Sequence, residues 1–329
     1  MKALVRALRE PASVAGLGAD EWTALLCAAR AEQLIGSLAR RLDGQPMPGR
    51  AATVLADARR AAEQGRLHAL WEAEMARRAL EPLGIPSILL KGTAFAAAGL
   101  DAGEGRFIGD LDILVPRDRL DEAEAALLDA GWEWVKDDPY DSQYYRRWMH
   151  ELPPLIHRDR DRMIDVHHTI LPPTARPTPD AAAMIADSVV VANGLRMLSP
   201  HDMIVHAAAH LFADGDLAGG LRNLWDIDRL LRQFGDDGLL ARARHHQLEA
   251  ATARAIRLAA HLYGTPVKAG RLTLVDRLYA RRLLARDGWG RQTRVWTRFA
   301  FYVRSHWIRM PPLLLARHLW IKWRRGGAG

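Results

Sequence analysis

Gly109-Asp110-Leu111-Asp112-Ile113-Leu114-Val115 sets two carboxylates, one apolar residue apart, at the start of a strand-like apolar run. Side chains alternate faces along a strand, so Asp110 and Asp112 project together while Leu111 and Ile113 point the other way. At about 3.3 Å per residue the two carboxylates stand roughly 7 Å apart. A hard divalent cation such as Mg²⁺ fits between oxygen donors of this kind. Two solvated Asp residues at a strand start would give the same pattern, so the surrounding chain has to decide.

Just upstream, Ser87-Ile88-Leu89-Leu90 reads as a short buried strand and Lys91-Gly92-Thr93 as a turn into the helix-prone run Ala94 to Ala98. A strand that feeds a helix through a Gly-Thr turn leaves backbone N–H groups free to meet an anion. Most such turns only cap helices. Downstream, Pro116 and Asp118 open a helix to about Ala130, closed by Gly131 at the C-cap. Trp132 to Val135 alternates like a strand, and residues 136–149 read as a polar, aromatic connection. Leu155-Ile156-His157 and Met163 to His168 then suggest a hairpin that carries Asp165 and His167 on one face.

On the N-terminal side, residues 20–43 read as one helix and Ala51 to Leu80 as a long second one, together a cap on the strand-bearing part of the chain. Prolines 172, 173, 177 and 179 mark a domain break, after which the chain reads as helical from Ser199. That half includes one helix at 236–263 and a last pair in the tail. The expected fold class is α+β, in three parts: a helical cap at 1–83, a mixed-sheet palm at 84–175, and an all-helical domain at 176–329.

Composition narrows the class. The chain has 329 residues, 49% of them apolar and 26% charged, which is ordinary for a globular protein with a real core. Cys27 is the single cysteine, so neither an intrachain disulfide nor a cysteine metal cluster is available. Met1-Lys2-Ala3-Leu4-Val5-Arg6 lacks an export core, and no apolar run approaches about 20 residues. These features predict a cytoplasmic protein. The net charge of +7 is concentrated: residues 277–329 hold thirteen Lys or Arg and one acid, Asp287.

Strand, Gly-Thr turn, helix, Asp-x-Asp strand and a later strand with a third Asp resemble, in that order, the nucleotidyltransferase fold of the DNA polymerase β superfamily. The closer resemblance is to a bacterial family of uncharacterised nucleotidyltransferases. Leu90-Lys91-Gly92, Arg106 four residues before Asp110-Leu111-Asp112, and Ile164-Asp165-Val166-His167 match its motifs. His206, His210, Arg222 and Asp226-Ile227 resemble its C-terminal half. Gly-Thr replaces the Gly-Ser of better-known branches but keeps the hydroxyl, and His168 stands where the closer family often has Trp.

The resemblance implies transfer of a nucleoside monophosphate from ATP, CTP, GTP or UTP to an acceptor hydroxyl, with release of pyrophosphate. The acceptor would be a small molecule, saccharide, peptide or RNA. Asp110, Asp112 and Asp165 would hold Mg²⁺, with Mn²⁺ as an alternative, and Asp165 would help deprotonate the acceptor. Lys91, Gly92, Thr93 and Arg106 would bind the triphosphate. Arg106 could instead orient Asp110 or Asp112 through a salt bridge, and His167 could support Asp165 or simply fill the core.

Other readings compete. His206 and His210 lie four apart on one helical face, with Asp202 a turn earlier, but no clear third His comes after them, so they are expected to line or underlie the cleft. Asp226 and Asp228 are expected to pair with Arg222 or Arg229. In the tail, Trp289, Trp296, Phe299, Phe301, Tyr302, Trp307, Trp320 and Trp323 interleave with Arg and Lys. That surface suits RNA, or an anionic membrane, or packing onto the fold with Arg outward. The alternative to an enzyme is therefore a non-catalytic nucleic-acid or membrane-surface binding protein.

Overall fold

A computed structural model describes residues 1–309 apart from 137, 214 and 215. The N-terminal helices are α1 (Lys2–Arg9), α2 (Ala19–Ala31), α3 (Ile35–Arg41) and α4 (Gly49–Leu80). The central part comprises β1 (Ile88–Leu89), α5 (Lys91–Ala97), β2 (Leu111–Leu114), α6 (Leu120–Asp129), β3 (Trp132–Trp134), α7 (Pro139–Trp148), β4 (Leu155–His157) and β5 (Met163–His167). Then come α8 (Ala181–Ala186), β6 (Val189–Val190), β7 (Arg196–Met197), α9 (Pro200–Ala213), α10 (Gly220–Phe234), α11 (Leu239–His245), α12 (Glu249–Tyr263), α13 (Leu274–Leu283) and α14 (Val295–Arg309).

The strands form one mixed seven-stranded sheet in the order β3-β4-β5-β2-β1-β7-β6. β2 is central and buried along its whole length. It runs antiparallel to β1 and parallel to β5, and the register sets Asp112 beside Asp165 and Leu114 beside His167. The β4–β5 hairpin is antiparallel, as its turn predicts. The fold is α+β, with helices accounting for most of the described chain.

Four expectations change. The helix read at 20–43 breaks between α2 and α3, where Gln33 has a φ of 55°. The break lets Glu32 turn inward: its Oε2 accepts from the Leu221 N–H at 3.1 Å and its Oε1 from Arg286 at 2.5 Å. Likewise 236–263 divides into α11 and α12 around Gln247, whose φ is 59°. The connection at 136–149 contains α7. Finally, the sheet continues beyond residue 175, because β7 pairs in parallel with β1 and β6 with β7. The part after 176 therefore contains two short strands as well as helices. Those strands are two residues each, too short for any periodicity to show.

One apolar core runs from Leu4 to Phe301, through all three parts of the chain. The cap and central part also meet by backbone: a methyl on Gly36 would overlap the Gly105 carbonyl, and one on Gly105 would overlap the Gly36 carbonyl. Only glycine permits that approach, and the φ of 64° at Gly105 independently favours it. α9 begins as its sequence predicts, with Ser199 and Asp202 hydrogen-bonded across its first turn.

Candidate active site

Asp110, Asp112 and Asp165 converge. Asp112 and Asp165 are neighbours on the parallel β2–β5 ladder, and Asp110 sits just ahead of β2. One oxygen from each lies within 4.8 Å of the others. Asp110 is exposed, Asp165 half-buried and Asp112 buried, so the cluster opens at one end toward solvent.

The three carboxylates are not electrostatically equivalent. Burial alone would push Asp112 up, but the Lys91 ammonium at 2.7 Å and His167 Nε2 at 3.0 Å hold it well below the usual carboxylate range. Asp165 goes the other way. Burial, then the charge on Asp112, raises it to about 7, and its buried Oδ1 has no hydrogen-bond partner. An orphaned buried carboxylate oxygen beside a second ionised carboxylate is unfavourable without a cation. Three carboxylates and no thiol make a hard, oxygen-only donor set, which fits a divalent ion such as Mg²⁺.

Lys91 starts α5 with a φ of 48°, rare for a side chain with a Cβ. That backbone carries the ammonium onto Asp112. Burial opposes the charge on Lys91, but Asp112, Asp110 and Asp165 outweigh it and its pKa rises. Gly92 lies in the first turn of the same helix, under Arg106: a methyl there would overlap the Arg106 Nε. The helix begins at Lys91 rather than at Ala94, so Thr93 is turned into the interior and is not among the cleft-lining residues.

Arg106 makes neither of its expected salt bridges to Asp110 or Asp112. Its guanidinium pairs with Asp226, while its Nε is buried without a partner. Asp226 also accepts from Arg222 Nε at 3.1 Å, and Arg222 reaches Ser37 Oγ at 2.7 Å. Asp226 and Asp228 are thus ion-pair residues, Asp228 bonding Arg229, Arg232 and Thr265.

These groups face a cleft of about 540 Å³, lined by Lys91, Gly92, Arg106, Asp110, Asp112 and, across it, the start of α10. Phe107, exposed, and His210 also border it. His206 is buried in an adjoining recess with Lys91 and Asp226, and burial keeps its ring neutral. Among the described residues, neither His206 nor His210 belongs to a group of three possible metal ligands.

His167 supports Asp112 rather than Asp165. Two residues that sequence reasoning passed over gather behind it. Glu151 bridges to the backbone of His167, and its Oε2 lies 3.6 Å from His167 Nε2 and 3.6 Å from His150 Nε2. Burial lowers the His150 pKa to about 2, leaving a neutral ring. Both fall in a stretch without periodicity, and only the long-range bridge to β5 brings them in.

An α+β fold with two carboxylates on adjacent parallel strands and a third just ahead of one of them, at a cation-lined cleft, defines a nucleotidyltransferase-like protein. The chain belongs to the uncharacterised nucleotidyltransferase family, whose model matches residues 18–264. A search among curated proteins gives no significant match.

Proposed function

We propose that the protein is a Mg²⁺-dependent nucleotidyltransferase that moves a nucleoside monophosphate from a nucleoside triphosphate to an acceptor hydroxyl. The observation that carries this reading is the convergence of Asp110, Asp112 and Asp165 within 4.8 Å beside Lys91. In the reaction a bond forms between the acceptor oxygen and the α-phosphorus. The bond from that phosphorus to the bridging oxygen breaks, and pyrophosphate leaves. Divalent ions held on the three carboxylates, Mg²⁺ or in its place Mn²⁺, would offset the charge on the attacking and leaving oxygens.

The chain's own groups do the rest. Asp165, whose buried Oδ1 has no hydrogen-bond partner within the protein, takes the acceptor proton. Lys91 lines the cleft and neutralises phosphate charge once released from Asp112. Gly92, at the start of α5, offers its N–H to the same charge from the cleft wall, and Arg106 frames that wall from its pair with Asp226. The surplus of cations in the tail supports a peripheral contact with an anionic partner. A cytoplasmic location is part of the same reading, and no helix among the described residues is long and apolar enough to cross a membrane.

Calorimetry with each of the four triphosphates, with and without Mg²⁺, tests the donor site. Wild type is expected to bind one of them only with Mg²⁺, and Asp110→Ala/Asp112→Ala to lose that binding. Folded wild-type protein that binds none of the four would overturn the reading.

A further inference from the structure

The outward face of α14 is apolar where a surface helix is ordinarily polar. Successive helical residues turn by about 100°, which gathers Val295, Trp296, Phe299, Tyr302, Val303 and Trp307 on one side. Every one of them is at least half exposed, and Trp296 is 85% exposed. The opposite side is what packs: Ser305 is buried, and Phe301 meets Tyr279 edge-on with ring centroids 4.9 Å apart. Arg298 and Arg304 flank the apolar face without entering it, Arg304 being tied to the Phe212 carbonyl. Nearby, α13 exposes Leu274, Val275 and Leu278, and the link between the helices exposes Trp289. Half of the exposed large apolar side chains among the described residues lie between 274 and 307. Concentration on this scale marks an interaction surface.

Charge selects the partner. From residue 277 to 329 there are thirteen Lys or Arg against Asp287 alone, so two copies of this face would repel one another. A single-stranded nucleic acid would use the aromatics for stacking but gain little from Val295 and Val303. A bilayer interface uses all of them. Aliphatic and aromatic side chains enter the headgroup region while flanking arginines meet anionic headgroups.

We propose that the outward face of α14 docks this protein on an anionic lipid bilayer, lying in the plane of the interface. Docking gives the cationic tail its anionic partner, and it is separable from nucleotidyl transfer because the carboxylate cluster lies in other elements.

Flotation of the full chain with phosphatidylcholine vesicles, with or without phosphatidylglycerol, at low and high salt, tests the proposal. Binding is expected to be about tenfold or more tighter with phosphatidylglycerol and to weaken in high salt. Trp296→Ser/Phe299→Ser/Trp307→Ser should lose at least about tenfold. Leu67→Ser/Trp71→Ser, removing exposed apolar side chains from α4, should bind like wild type. Circular dichroism and Mg²⁺-dependent nucleotide binding, read on the same samples, show that the triple variant is folded and keep failure of the transferase reading distinct. No vesicle binding by the full chain, or unchanged binding by the triple variant, overturns docking. So does a dimer in light scattering that the triple variant abolishes, or tighter binding to an RNA oligonucleotide than to vesicles.

Discussion

At the scale of single residues the site is defined by one cation standing among three anions. Lys91 holds Asp112 at 2.7 Å and supplies positive charge to the carboxylates proposed to hold a divalent ion. Lys91→Met leaves a buried carboxylate short of its partner and should cost about 3 kcal/mol of stability. Since the ion then replaces the missing charge, Mg²⁺ should raise the melting temperature of Lys91→Met more than that of wild type. Equal shifts in thermal melts would show that the ion and the ammonium do not share a place. Gly92 is equally constrained, by Arg106: Gly92→Ala should push that side chain off Asp226 and destabilise by about 1–3 kcal/mol in urea titration. The carboxylate identities and the lysine were legible in the sequence because they sit in short local motifs. The partner of Arg106 was not, since Asp226 lies 120 residues away.

At the scale of elements, stability depends on how helices meet across long separations. Gly36→Ala would drive a methyl into the Gly105 carbonyl and separate α3 from the loop that leads into β2. A loss of about 2 kcal/mol or more in chemical unfolding is expected, because neither neighbour is a movable side-chain end. α9 offers a pH test. Burial alone would raise Asp202, but hydrogen bonds from His246, Arg242 and Ser199 hold it well below the usual carboxylate range. A carboxylate depressed in the folded state stabilises fully above its unfolded value, near 4, and loses that contribution as pH falls toward its folded value. Asp202→Asn should therefore be less stable than wild type at neutral pH, and the gap should narrow below about pH 4 in thermal melts. Most elements were readable from periodicity and caps. The breaks at Gln33 and Gln247 were not, because each helical pattern continues past a turn that long-range contacts impose.

Across the whole molecule, cap, sheet and C-terminal helices share one apolar core. The chain Arg106–Asp226–Arg222–Ser37 ties the loop before β2, α10 and α3 together at the back of the cleft. Asp226→Asn leaves two guanidinium groups short of their counter-charge and should cost about 3 kcal/mol or more. Because the core is continuous from Leu4 to Phe301, far-ultraviolet circular dichroism and tryptophan fluorescence should report a single coincident unfolding transition. Separate transitions would make the three parts independent folding units.

By itself the sequence determined the α+β class, the motif order and the three Asp residues, since strand alternation and turn chemistry act over a few residues. Tertiary structure decided what those residues touch. It gave Asp112 to Lys91 and His167, Arg106 to Asp226, and Glu151 and His150 to the rear of the cluster. It also turned Trp296, Phe299, Tyr302 and Trp307 of α14 outward and Phe301 inward, where the sequence fits packing and exposure alike. The reason is physical: helical period fixes which side chains share a face, but only the packed neighbours fix which face is covered.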